Sequence, residues 1–171
     1  ACLGFLDPDE AEKLAAQGVK HYVHMVETSP RYFSEITSTH SFEDRLETLE
    51  AAKEAGINLC SGIIAGMGET RTDRVNATLE LRDIGIDVFS LNILSPVSGT
   101  PVAEKVGSEP DISRENILRT LALVRFVHPE IRIDTNTARA PITREEFLDS
   151  GGNSVQLGDM IHYGDYPVSD A

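Results

Sequence analysis

Gly56-Ile57-Asn58-Leu59-Cys60-Ser61-Gly62-Ile63-Ile64-Ala65-Gly66-Met67-Gly68-Glu69-Thr70-Arg71-Thr72-Asp73 is the stretch whose reading decides the fold. Gly56 stops a preceding helix, and Ile57 to Ile64 is an apolar, β-branched run of the length of a buried strand. A glycine-bearing turn follows. Thr70-x-x-Asp73 is then a capping box that opens a helix, with Val75, Leu79 and Ile84 as its expected core-facing residues, and Gly85 stops it before a second strand, Ile86 to Ile93. Strand, helix and strand at this spacing make one parallel unit with a right-handed crossover.

The same phase extends in both directions. Upstream, Asp7-Pro8-Asp9-Glu10 caps a helix that ends at Gly18; a strand is expected over Val19 to Glu27, and a helix from Ser41 carries Leu46, Leu49 and Ala52 inward. Downstream, a loop over Ser95 to Pro110 leads to a helix, Asp111 to Val127, with Ile117, Leu121 and Val124 on its core face. Pro129 ends it before a strand, Glu130 to Asn136, and a short helix, Thr143 to Ser150, and a strand, Asn153 to Leu157, close the series. Alternation of this kind belongs to a doubly wound sheet or to a (β/α) barrel, and periodicity does not choose between them. A complete eight-unit barrel needs about 250 residues, so the 171 residues here amount to a partial one.

Composition narrows the function. With 40% hydrophobic and 25% charged residues the chain has the balance of an ordinary globular protein. Lys and Arg number 15 against 28 Asp and Glu, a formal charge of −13 that repels nucleic acid and anionic membrane. The acidity is spread along the chain, as a solvated surface or a high-salt habitat would have it. No apolar run approaches the roughly 20 residues of a membrane span; the longest, Leu118 to Val127, is interrupted by Arg125. Cys2 and Cys60 are too few for a disulfide framework or a closed zinc site, which makes a reducing cytoplasm the expected compartment. The chain opens at Ala1 without a methionine or a signal-type segment and is expected to be part of a longer sequence.

In parallel α/β folds ligands gather at the C-terminal ends of the strands. Residues placed there are His24, Glu27, Cys60, the turn Gly66-Met67-Gly68-Glu69-Thr70, Asn92 and Arg132. Cys60 shares a strand face with Asn58 and Gly62; it is either an inert small hydrophobe or a group facing a ligand cavity. The turn either cradles an anion or a cofactor edge on its backbone N–H groups or is merely tight. Arg132 inside a strand needs an anionic or metal-cluster partner if it points inward and means nothing if it points outward. Glu27 is suited to accept two sugar hydroxyls and Arg45 to clamp a carboxylate.

In order and spacing these segments resemble the biotin synthase family of radical S-adenosylmethionine (SAM) enzymes. The resembling runs are His24-x-x-Glu27-Thr28-Ser29-Pro30, Glu43-Asp44-Arg45-Leu46-x-Thr48-Leu49, Ala55-Gly56-Ile57-x-x-Cys60-Ser61-Gly62-Ile63, Gly66-Met67-Gly68-Glu69-Thr70 and Asn92-x-Leu94-x-Pro96-x-x-Gly99-Thr100-Pro101. The tail adds Arg132 and Gly151-x-Asn153-Ser154 with Gly158-Asp159, similar to a region shared by biotin and thiamine synthesis proteins.

The resemblance implies a radical SAM barrel over residues 1–90, continuous with the biotin and thiamine synthesis associated region over 91–171. It implies sulfur insertion into dethiobiotin, with a 5′-deoxyadenosyl radical made from SAM at a [4Fe-4S] cluster and sulfur from a [2Fe-2S] cluster. By position Cys60 and Arg132 match ligands of the [2Fe-2S] cluster, and Glu27, Arg45, Gly66, Gly68 and Glu69 match the SAM site. Asn92 matches a substrate contact. The [4Fe-4S] motif, Cys-x-x-x-Cys-x-x-Cys, is not in the chain, so the fragment alone is expected to be inactive. An electron donor such as flavodoxin or ferredoxin and a homodimer of the full-length protein are further implied.

Departures from the family are specific. Where biotin synthases read Asn-His-Asn this chain has Val23-His24-Met25, the acid after it is Glu27 in place of Asp, and Thr135 to Ala140 replaces the usual Gly-Gly-Arg-Glu run. Cys2 stands as Cys2-Leu3-Gly4 where the family spacing is Cys-x-x-Leu-Gly, so it is not assigned as a ligand. A related radical SAM maturase or synthase with another substrate, and a non-catalytic barrel remnant, are the alternative readings.

Overall fold

The computed structural model describes residues 1–107, 112–135 and 141–154. Its elements alternate as the sequence leads one to expect, and each longer helix starts where a side chain satisfies the free N–H groups of its first turn. Helix α1 (Pro8–Ala16) is capped by the reciprocal Asp7–Glu10 box, α3 (Phe42–Glu54) by Ser41 and Asp44, and α4 (Arg71–Ile84) by Thr70 and Asp73. Helix α6 (Arg114–Val127) is capped by Ser113, and α7 (Arg144–Asp149) by Thr143 and Glu146. Two short helices are added: α2 (Pro30–Phe33), in a stretch with no assigned element, and α5 (Pro101–Val106), inside the expected loop Ser95 to Pro110; each has a Ser or Thr cap followed by proline at the first helical position.

Strands β1 (His21–Val23), β2 (Asn58–Ala65), β3 (Val88–Ile93) and β4 (Arg132–Thr135) form a parallel sheet in the order β1-β2-β3-β4. A doubly wound sheet reverses its strand order at a switch point. This one does not, and its helices follow the same sequence, α1 against α3, α3 against α4, α4 against α6 and α6 against α7. The architecture is therefore the wall of a (β/α) barrel, with one outer layer of helices and one inner sheet face.

The two faces divide by alternation. Leu59, Ile63 and Ala65 of β2, Phe89, Leu91 and Ile93 of β3 and Ile133 of β4 form the core with Leu49 and Ala52 of α3, Ala77 and Leu81 of α4 and Ile117, Leu121 and Val124 of α6. Cys60, Gly62 and Ile64 of β2, Val88, Ser90 and Asn92 of β3 and Arg132 and Asp134 of β4 lie on the other face, toward the lumen. Gly62 is needed there, because a Cβ would fall 2.0 Å from the Ser90 carbonyl oxygen.

Three expectations change. The strand expected over Val19 to Glu27 is regular only over His21–Val23, for a reason that matters to the site. The buried face of α4 is Asp73, Arg74, Ala77, Thr78 and Leu81, because the helix buries an ion pair beneath its first turn; of the expected residues Ile84 packs against the core partly buried, and Val75 and Leu79 are half-buried outside it. Helix α6 begins at Arg114 rather than Asp111, which lies outside the described residues, as do Asn136 to Ala140, residues 155–157 of the expected last strand, Gly158 and Asp159. Asn153 and Ser154 both donate to the Ile133 carbonyl, which places the start of that last segment beside β4.

Candidate functional site

Glu27 owes its position to an irregularity. The His24 N–H donates to the Cys60 carbonyl and the Glu27 N–H to the Gly62 carbonyl, so the first strand advances three residues where β2 advances two. That extra residue is a bulge, a device that redirects side chains next to active sites. Glu27 has φ 69°, and among the described residues no other non-glycine residue has positive φ. Holding it there costs about 1 kcal/mol.

The redirected carboxylate meets Arg45 of α3, with Oε1 3.6 Å from Nη1. Oε2 is buried without a hydrogen-bond partner. Burial pushes the Glu27 pKa up, and the Arg45 charge opposes it. Arg45 is itself fixed: Nη1 donates to the Met25 carbonyl at 2.7 Å, Nε to His40 at 3.1 Å, and the guanidinium lies over the Phe33 ring. Glu27 and Arg45 open on a cavity of about 380 Å³ whose apolar wall includes Phe33, Ile64, Met67 and Leu94, with Lys105 and Glu35 more exposed. The size lies in the range of small-molecule and cofactor sites.

The turn after β2 forms part of this wall. The Glu69 carboxylate accepts from the Gly66 N–H at 3.1 Å and the Met67 N–H at 2.8 Å and pairs with Arg74 at 2.5 Å, all buried. The amides that would cradle an exogenous anion already hold the chain's own. Gly66 and Gly68 take φ of 98° and 96°, and the Tyr32 hydroxyl donates to the Met67 carbonyl. The three turn residues thus hold Met67 against the cavity and leave the Glu69 carboxylate occupied.

His24 is buried, and its Nε2 has no partner. Burial first, then the Arg45 and His40 charges, push its pKa down to about 4, so it is neutral at pH 7. It stacks edge-on with Phe5.

The inner face of the sheet carries the remaining candidates in rows. Val23, Cys60, Val88 and Arg132 stand level across the four strands. Cys60 and Arg132 are therefore on one face, two strand spacings or about 10 Å apart. The Ala1 amine donates to the His21 carbonyl and the Ala1 carbonyl accepts from the Val23 N–H, which brings Cys2 level with Val23 at the end of the same row. Sequence spacing leaves Cys2 unassigned, and its place in this row comes from edge pairing, which is not a sequence signal. Burial raises the Cys60 pKa, the Ser90 hydrogen bond opposes it, Asp134 raises it, Arg132 lowers it and Cys2 raises it.

One layer toward the C-terminal ends, Gly62, Ser90 and Asp134 stand level. The Ser90 hydroxyl donates to Asp134 Oδ1 at 2.6 Å, and Cys60 Sγ lies 3.6 Å from Ser90 Oγ. Burial raises the Asp134 pKa. Sequence reasoning passed over Asp134, although an acid two residues after Arg132 in an apolar strand falls on the same face. A further layer on, Ile64 and Asn92 stand level, with Asn92 half-buried.

Among the described residues no helix is long and apolar enough to cross a membrane, and no three His, Cys, Asp or Glu side chains converge as a metal site. The Radical SAM superfamily model matches residues 1–81, and that of the Biotin and Thiamin Synthesis associated domain matches residues 90–170. The biotin synthase of Natronomonas pharaonis is 45% identical over 99% of this chain, and that of Nitrosopumilus maritimus is 42% identical over 95%. The match covers 47% and 49% of those relatives, so the chain spans about half the length of the curated relatives it matches. Among solved structures, methylornithine synthase superposes with a TM-score of 0.74 at 19% identity, covering 96% of this chain and 48% of that one, a likeness of fold. The chain belongs to the biotin synthase-like family of radical SAM proteins.

Proposed function

We propose that this chain is the part of a biotin synthase-like radical SAM enzyme that holds SAM, the substrate and the second iron–sulfur cluster for sulfur insertion into dethiobiotin. One observation carries the reading. The Glu27–Arg45 cavity and the Cys60–Arg132 row lie at two levels of the same inner face, and the four residues from Cys60 to Ile64 separate them by about 13 Å of strand.

The residues suit both groups. Glu27 Oε2, buried and unpartnered, is an acceptor that a ribose hydroxyl satisfies, and Arg45 is a fixed cation for the amino-acid carboxylate of SAM. On the inner face, a thiol and a guanidinium on one row give a soft anionic ligand and a counter-cation suited to a [2Fe-2S] cluster. When bound, SAM with its [4Fe-4S] cluster supplies a 5′-deoxyadenosyl radical that abstracts hydrogen, and the [2Fe-2S] cluster supplies sulfur.

The chain's own residues do the positioning. Ile64, Met67 and Leu94 give the cavity an apolar wall. Cys60 Sγ sheds its proton on becoming a ligand, because a coordinated thiol is deprotonated despite the burial that raises its pKa. Asn92, above it on β3, offers an amide to the substrate. We further propose that residues 1–90 and 91–171 build one continuous barrel wall. The full-length enzyme is a cytoplasmic homodimer fed by a flavodoxin or ferredoxin.

A related radical SAM synthase or maturase is the second reading. Val23 favours it, since it puts an apolar side chain in the Cys60 row where biotin synthases carry an amide. The full-length protein, reconstituted anaerobically and given dethiobiotin, SAM, sulfide, iron and a reductant, is expected to yield both biotin and 5′-deoxyadenosine. Formation of 5′-deoxyadenosine without biotin would reject sulfur insertion and favour the second reading.

A further inference from the structure

On the reading of the lumen just given, whatever reacts must sit between the cofactor end, where Glu27 stands beside Ile63 and Asn92 beside Ile64, and the cluster level, Cys60 with Arg132. The layer between them is Gly62, Ser90 and Asp134. Gly62 has no side chain, so among the described residues Ser90 and Asp134 supply the polar groups of that layer. The Ser90 hydroxyl donates its hydrogen bond to Asp134 Oδ1 and is left presenting lone pairs. Asp134 is 8% exposed, and among the described residues its Oδ2 has no partner. Alternation along β4 puts it on the lumen face, opposite Ile133.

Both groups are acceptors, so the part of the substrate that reaches this layer must be a hydrogen-bond donor, and an anion there would be repelled. Arg132, two residues along the same strand and face, is about 7 Å away. Its charge already offsets that of Asp134 and favours a neutral donor over a second cation. On the β1 side the neighbouring row presents Val23, which donates and accepts nothing. Recognition thus falls to the β3 and β4 side of the lumen.

We propose that Asp134, held in place by Ser90, is a specificity-determining residue that accepts a hydrogen bond from a neutral urea-type N–H of the substrate through Oδ2. Asp134 fixes the depth at which the substrate sits. The Cys60–Ser90 contact of 3.6 Å puts that anchor next to the proposed sulfur source. Asn92, one layer up, supplies the complementary donor for a carbonyl.

The test is calorimetric binding of dethiobiotin to anaerobically reconstituted, SAM-loaded full-length protein, with SAM affinity and iron content measured in parallel. Asp134→Ala is expected to weaken dethiobiotin binding about tenfold or more, and Asp134→Asn, which keeps a neutral acceptor, only a few-fold. SAM affinity and iron content should not change. In the parent one of the two urea N-methyl isomers of dethiobiotin should bind about tenfold more weakly than dethiobiotin, a comparison that needs no variant to fold. Asp134→Ala binding within twofold of the parent, or both N-methyl isomers binding the parent as well as dethiobiotin does, would overturn the assignment and leave the functional reading standing. A parent protein that binds SAM but not dethiobiotin would overturn both.

Discussion

Glu69→Ala should cost the full-length protein about 3–5 kcal/mol of stability, measured by urea denaturation, because it breaks a buried pair from one side. Arg74 is 5% exposed and would be left without its counter-charge, while the Gly66 and Met67 N–H groups would lose their acceptor. Glu69→Gln keeps an acceptor for the amides and should recover part of the loss, which separates the hydrogen bonds from the charge. A loss below about 1 kcal/mol for the alanine variant would mean that the turn is held by something else. The same residues illustrate how a glycine-rich turn can look like an anion cradle and be filled by the chain itself.

Arg45→Ala is expected to weaken SAM binding on the order of 100-fold, the scale for removing one partner of a buried, hydrogen-bonded charge pair. Two effects add: the cofactor carboxylate loses its cation, and Glu27, already pushed toward its neutral form by burial, loses the charge that opposes this shift. Arg45→Lys should rescue little, because one ammonium cannot reproduce the contacts to Met25, His40 and the Phe33 ring together. Equilibrium dialysis with SAM checks both. Unchanged affinity in the alanine variant would place the cofactor elsewhere.

What the sequence made legible was local. The boxes Asp7–Glu10 and Thr70–Asp73 both form, and the helix expected from Ser41 starts there, because a cap depends on residues three positions apart. Ser29-Pro30 and Thr100-Pro101 carried the same kind of signal for α2 and α5, though within stretches rich enough in loop residues to hide it. Strand order was out of reach, since β1-β2-β3-β4 and a reversed order share one periodicity. The bulge before Glu27 was equally hidden: nothing in Met25-Val26-Glu27 signals positive φ, and the conformation is imposed by pairing with Gly62 and Ile63. The buried face of α4 was misread because Asp73 and Arg74 are charged, and only the placement of Ser29, Arg31 and Glu69 shows that both are paired. Cys60 and Arg132 could be named as candidates from sequence, but their common face and row come from the register of three strands.

The assignment of the Cys60–Arg132 row to a second cluster is tested most directly by the absorption and Mössbauer spectra of anaerobically reconstituted full-length Cys60→Ala protein. The [2Fe-2S] signal should disappear while the [4Fe-4S] signal, and the reductive cleavage of SAM to 5′-deoxyadenosine, are kept. A variant that retains the [2Fe-2S] spectrum of the parent would contradict it and return Cys60 to the role of a small buried side chain.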